Sequence, residues 1–157
     1  MRAGMAELTE YERAQVHFEM NDYAQAARLL EPFAVEQPRS VSVRLLLARA
    51  YYHSAQIGKA EAEFRAVTEL DPVEDYAWFC LGRTLERQSR HGEAATCFRM
   101  AAAMRPSPEY LDAVTRTEPR AEPPVSDSSV GEDQVGGAVA DEHRGGGGVP
   151  ADLDRQD

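Results

Sequence analysis

Four histidines, two cysteines and a spread of carboxylates are the side chains here that can bind a metal, attack a substrate or move a proton. Their spacing suits none of these tasks. His17, His53, His91 and His143 are scattered, and no two stand four residues apart as a helical metal pair does. Cys80 and Cys97 are too few for a disulfide framework, and reduced, partly buried thiols are expected. Glu61 and Glu63 read as a solvated helix surface rather than an acid/base pair. No Gly-x-Ser-x-Gly elbow occurs. Gly145 to Gly148 is no phosphate loop, because no strand pattern precedes it and no Lys-Ser/Thr pair follows. The sequence therefore predicts no enzyme, no metal and no cofactor.

The 157 residues carry 17 bases and 27 acids, a net charge of -10. That balance argues against a nucleic-acid or anionic-membrane surface, since both need a basic face. Lys59 is the one lysine among the bases, and such Arg usage is associated with GC-rich bacterial genomes. No apolar run approaches the roughly 18 residues of a membrane helix. Met1 to Glu10 lacks the apolar stretch of a secretory signal, so a cytoplasmic protein is expected. The acidity is concentrated in residues 117–157, where ten acids face three bases. The same stretch holds 7 of the 11 Gly and no aromatic residue. It cannot bury enough apolar surface to offset its ordering entropy, and a disordered acidic tail is expected.

The first 116 residues repeat themselves. Pro38, Pro72 and Pro106 are spaced 34 apart, and so are Ala26, Ala60 and Ala94. Leu30, Phe64 and Phe98 keep that interval, as do Ala14, Ala48 and Gly82. Apolar residues within each unit recur at three- and four-residue steps, the helical period. Each unit breaks near its middle, at Asn21-Asp22, Ala55-Gln56 and Ser89 to Gly92, and each stops at a proline. The unit is helix, turn, helix. The alanines are expected where two helices approach closely, and Phe64 and Phe98 are expected to fill space between neighbouring units. Ser107 and Pro108 open a last short helix, with Tyr110, Leu111 and Val114 covering the stack.

These units resemble tetratricopeptide repeats. The third has Trp78, Leu81, Gly82, Ala94, Phe98, Ala101 and Pro106 at the family's positions, with Leu85 in place of Tyr. The second has Leu47, Tyr51, Ala60, Phe64 and Pro72, with Arg44 for Trp and Ala48 for Gly. The first keeps Ala26 and Pro38 and departs at Glu10, Arg13 and His17. The resemblance implies an all-α solenoid of three antiparallel helix-turn-helix repeats, 7–40, 41–74 and 75–108, ended by a capping helix at 107–116. Residues 1–6 form an N-terminal extension and 117–157 the tail.

The resemblance further implies a concave groove, lined by first helices, that takes a partner peptide or helix. Its lining in this chain is Tyr11, Gln15, Phe18 and Glu19, then Leu45, Arg49, Tyr52 and His53, then Tyr76, Phe79, Arg83, Glu86 and Arg87. Phe79 and Leu45 are balanced between groove and core. Arginine forks clamp carboxylates and aromatic faces take apolar groups or cations. The expected function is a non-catalytic adaptor or scaffold whose protein partner offers an acidic or apolar segment. The alternative is a structural protein that self-assembles through repeat ends or groove. The clamp of Lys, Arg and two Asn used by chaperone-binding members cannot be built, because Asn21 is the one Asn and lies in a turn. The tail is expected either to aid solubility or to fold back over the arginines and compete with an acidic partner.

Overall fold

A computed structural model describes residues 9–119, and those up to Glu118 belong to one compact unit. The extension at 1–6 and the tail from Arg120 onward lie outside the described residues. Seven helices follow in order: α1 Glu10–Glu19, α2 Tyr23–Glu36, α3 Val41–His53, α4 Ile57–Leu70, α5 Asp75–Arg87, α6 His91–Met104 and α7 Pro108–Thr117. Among the described residues there is no strand. Each helix packs chiefly on its neighbours in sequence, so the described chain is an all-α stack of three hairpins closed by α7.

Local signals start and stop these helices. Thr9 and Glu12 form a capping box at the head of α1, and Ser40 caps α3 through the Val43 amide. Ser107 caps α7 through the Tyr110 amide, with Pro108 at the first helical position. The mid-unit turns are three copies of one device. Asn21, Ala55 and Ser89 have φ of 62°, 62° and 60°, each 34 residues from the next. The following amides, of Asp22, Gln56 and Arg90, donate to His17, Tyr51 and Leu85 at 2.8, 2.8 and 3.0 Å. This left-handed residue with a six-to-one hydrogen bond ends a helix and reverses the chain.

The core follows the repeat. Ala26, Ala60 and Ala94 are each fully buried, as are Leu30, Phe64 and Phe98. The Phe98 ring lies against Gly82 and 5.6 Å from Phe79 within its own hairpin, and the Arg116 guanidinium of α7 stands 5.9 Å from its centre, so Phe98 meets both its own unit and the helix that follows. Successive units are joined at their prolines. Trp78 Nε1 donates to the carbonyl of Pro72 at 2.9 Å, and one repeat earlier Arg44 Nε donates to that of Pro38. Arg44 thus makes the backbone contact of the tryptophan it replaces. It also pairs with Glu63 at 2.7 Å. Tyr51 adds a tie from α3 to α2 by donating to Glu31 at 2.7 Å. α2 runs on through Pro32, whose exposed ring lacks a helical amide.

Candidate functional site

The first helices α1, α3 and α5 are linked by arginines laid over aromatic rings. The Arg49 guanidinium stands 4.7 Å from the Phe18 ring centre of α1 and 5.9 Å from that of Tyr76 of α5. Arg87 of α5 lies 4.9 Å from the Tyr52 ring of α3 and donates to the Tyr52 carbonyl at 3.3 Å. Cation–π contacts of this kind contribute about 0.5–1 kcal/mol where exposed and more where water is excluded. His53 joins the group, stacked 4.5 Å from Tyr23 of α2 and edge-on to Phe18 at 6.0 Å. Phe18, Arg49, Tyr52, His53, Tyr76 and Arg87 are therefore brought together.

The other expected lining residues are placed differently. Phe79 is 2% exposed and stacks 4.7 Å from Tyr110, which puts it in the core. Phe18, Tyr52 and Tyr76 are buried as well, so the rings offer little beyond an edge to a ligand. Tyr11 turns toward Phe33 of α2, 6.0 Å away. Leu45 is half-buried, and Gln15 and Glu19 are exposed. Glu86 is held by Arg116 of α7 through two hydrogen bonds of 2.9 and 3.1 Å. Arg83 is half-buried, and no ion pair or hydrogen bond to another described residue engages its guanidinium.

Charge on this face is felt behind it. Burial pushes the Cys80 thiol up to about 12, while a hydrogen bond with Tyr76 and the charges of Arg49 and Arg83 pull it the other way. Both arginines therefore act on the same spot, yet the thiol stays protonated and is no nucleophile at neutral pH. Burial likewise pushes Cys97 up to about 11. Among the described residues no three His, Cys, Asp or Glu side chains gather as a metal site, and no helix is long and apolar enough to cross a membrane.

Sequence models of the tetratricopeptide repeat match residues 17–78 and 54–110, which together run from the end of α1 to the first turn of α7. The chain belongs to the tetratricopeptide repeat family. Solved structures agree at the level of fold. The first tetratricopeptide repeat of Spaghetti (RPAP3), bound to the HSP90 peptide SRMEEVD, superposes with a TM-score of 0.65 at 16% identity over 69% of this chain and 86% of that one. The Arabidopsis OM64 domain gives 0.65 at 18% over 69% and 90%. The Yersinia enterocolitica type III secretion chaperone SycD, in complex with a peptide of the translocator YopD, gives 0.61 at 18% over 69% and 83%. No curated protein matches the sequence.

In this tetratricopeptide repeat chain α7 occupies the place of a fourth first helix; Tyr110 is buried over the last hairpin as expected, whereas Leu111 is 49% exposed, and the polar partners of Tyr110 were not anticipated. Tyr110 donates to Asp75 at 2.8 Å and accepts from Arg105 at 3.1 Å, while Arg105 pairs with Asp75 at 3.1 Å. Burial, then the bond to Asp75, raises the Tyr110 phenol. The available signal was the repeat itself, since Tyr110 stands 34 residues after Tyr76.

Proposed function

We propose that this protein is a non-catalytic interaction module whose first-helix face takes a partner segment carrying acidic and apolar residues. The observation that carries the reading is the grouping of Arg49, Arg83 and Arg87 on neighbouring first helices. Arg49 and Arg87 are braced against aromatic rings, which fixes two positive charges in position. Arg83 supplies a third guanidinium for a carboxylate, which an arginine fork binds with two parallel hydrogen bonds. Relatives of this fold supply precedent, since Spaghetti and SycD are each seen with a peptide. Selection from a random peptide display library tests the reading. Enriched peptides are expected to combine Asp or Glu with apolar residues and to lose binding to Arg83→Ala. Enrichment of basic peptides, or equal binding to that variant, would refute it.

A further inference from the structure

A cleft of about 340 Å³ opens where α2, α3 and α4 meet. Ala34 and Val35 of α2 and Leu47 of α3 form its apolar wall, and Glu31, Arg44, Tyr51 and Glu63 supply its polar groups. The repeat shows what sets this place apart. One unit later the positions of Glu31, Arg44, Tyr51 and Glu63 hold Arg65, Trp78, Leu85 and Cys97. Leu85 and Cys97 are buried there, and the half-buried Trp78 indole stands at the junction. The earlier junction has an arginine chain in place of that ring and gains two carboxylates.

We propose that this cleft receives one lysine side chain of a partner protein, with the ammonium between Glu31 and Glu63 and the stem along Ala34, Val35 and Leu47. Charge balance favours it. Arg44 pairs with Glu63 at 2.7 Å, both side chains being 19% exposed. Glu31 accepts from the Tyr51 hydroxyl at 2.7 Å. Burial, then the hydrogen bond to Glu31 and its charge, then the charge of Glu63 raise the Tyr51 phenol. Tyr51 therefore stays a neutral donor, and both carboxylates act on it. Two carboxylates against one guanidinium leave one negative charge in a half-dry cleft, which a single cation cancels. The Lys59 ammonium lies 5.5 Å from the Tyr51 ring centre, and Lys59 does not line the cleft.

The hydrogen bonds already made favour lysine over arginine. Tyr51 holds Oε1 of Glu31, and Arg44 holds Oε2 of Glu63. Neither carboxylate presents both oxygens to a second guanidinium fork, which binds best through two parallel hydrogen bonds. A compact ammonium needs one oxygen from each. Its four-carbon stem meets the apolar wall, where Leu47 and Ala34 are themselves buried.

Amide NMR on the full chain tests the site, with n-butylammonium supplying the stem and charge of lysine. It is expected to shift the amides of Glu31 to Val35, Tyr51 and Glu63 saturably, with uncharged n-butanol binding roughly five-fold more weakly or worse. Glu31→Gln keeps an acceptor for Tyr51 and removes the charge, so it should weaken n-butylammonium binding by roughly five-fold or more. Arg44→Trp puts the ring of the next unit into the cleft and should abolish the shifts in the folded chain. Arg83→Ala should leave them unchanged, because the cleft shares no residue with the grouped arginines. No saturable shift, equal binding of n-butanol, or binding unchanged by Glu31→Gln would overturn the proposal. n-Propylguanidinium bound more tightly than n-butylammonium would assign the cleft to an arginine and overturn it as well.

Discussion

A Cβ atom on Gly82 would stand 2.5 Å from Cε1 of Phe98 and 2.7 Å from Cδ1, so the α5 backbone and the α6 ring touch directly. The two earlier units carry Ala14 and Ala48 at this position. In the third unit Phe79 stands where the second has Leu45, and it sits 5.6 Å from the Phe98 ring. The larger neighbour leaves Phe98 no room to retreat from the helix backbone.

Gly82→Ala is therefore expected to destabilise the protein by about 1–3 kcal/mol, although alanine is the better helix former. Urea denaturation measures it. Phe98→Leu in the same chain should absorb part of the cost, giving a favourable coupling energy in a double-mutant cycle. Additive losses would show that the clash relaxes by another route.

Ala55 holds a φ of 62° in the turn between α3 and α4 and is exposed. A Cβ in that region costs roughly 1–2 kcal/mol, and glycine removes the cost while adding some freedom to the unfolded chain. Ala55→Gly is expected to stabilise by about 0.5–1 kcal/mol. Asn21 occupies the same conformation with a side-chain type that tolerates it, so Asn21→Ala should lose a comparable amount. Thermal melting of both variants checks the opposite signs.

Tyr110 joins α7 to α5 in two ways, by stacking on Phe79 and by its hydroxyl between Asp75 and Arg105. Tyr110→Phe keeps the first and removes the second. The Arg105–Asp75 pair remains at 3.1 Å and limits the loss to about 1–2 kcal/mol. Tyr110→Ala removes both and is expected to cost about 3–5 kcal/mol. Hydrogen exchange should show α7 opening before the rest in either variant.

Glu61 accepts from Arg65, Arg90 and Gln88, each at 2.9 Å. Burial pulls its pKa up, but the hydrogen bonds and the Arg90 charge outweigh burial and hold it below the ordinary 4.5. A folded value below the unfolded one adds stability above the unfolded pKa, and that stability is lost as pH falls through the folded value. Glu61→Gln should cost about 1 kcal/mol at pH 7, a modest figure because its arginine partners are partly exposed. The difference from the parent chain should shrink below about pH 4.5 and at high salt. Urea midpoints across that range test both trends.

The repeat, the helices and the turns were legible in the sequence because each depends on nearby residues. A 34-residue spacing of Pro, Ala and Phe, with breaks at Asn21, Ala55 and Ser89, states where helices stop and which faces are apolar. The packing of Phe79 into the core, the capture of Glu86 by Arg116, and the bracing of Arg49 between Phe18 and Tyr76 were not legible. These contacts join residues roughly one repeat apart, and they depend on how closely two helix backbones approach. A glycine under Phe98, or a leucine in place of Phe79, resets that approach without altering the helical pattern. Sequence by itself determined a stack of helical hairpins with arginines on the first helices. Only the tertiary structure decided which arginines are spent on bracing neighbouring helices, because that depends on the distance between side chains that the chain separates by more than 25 residues.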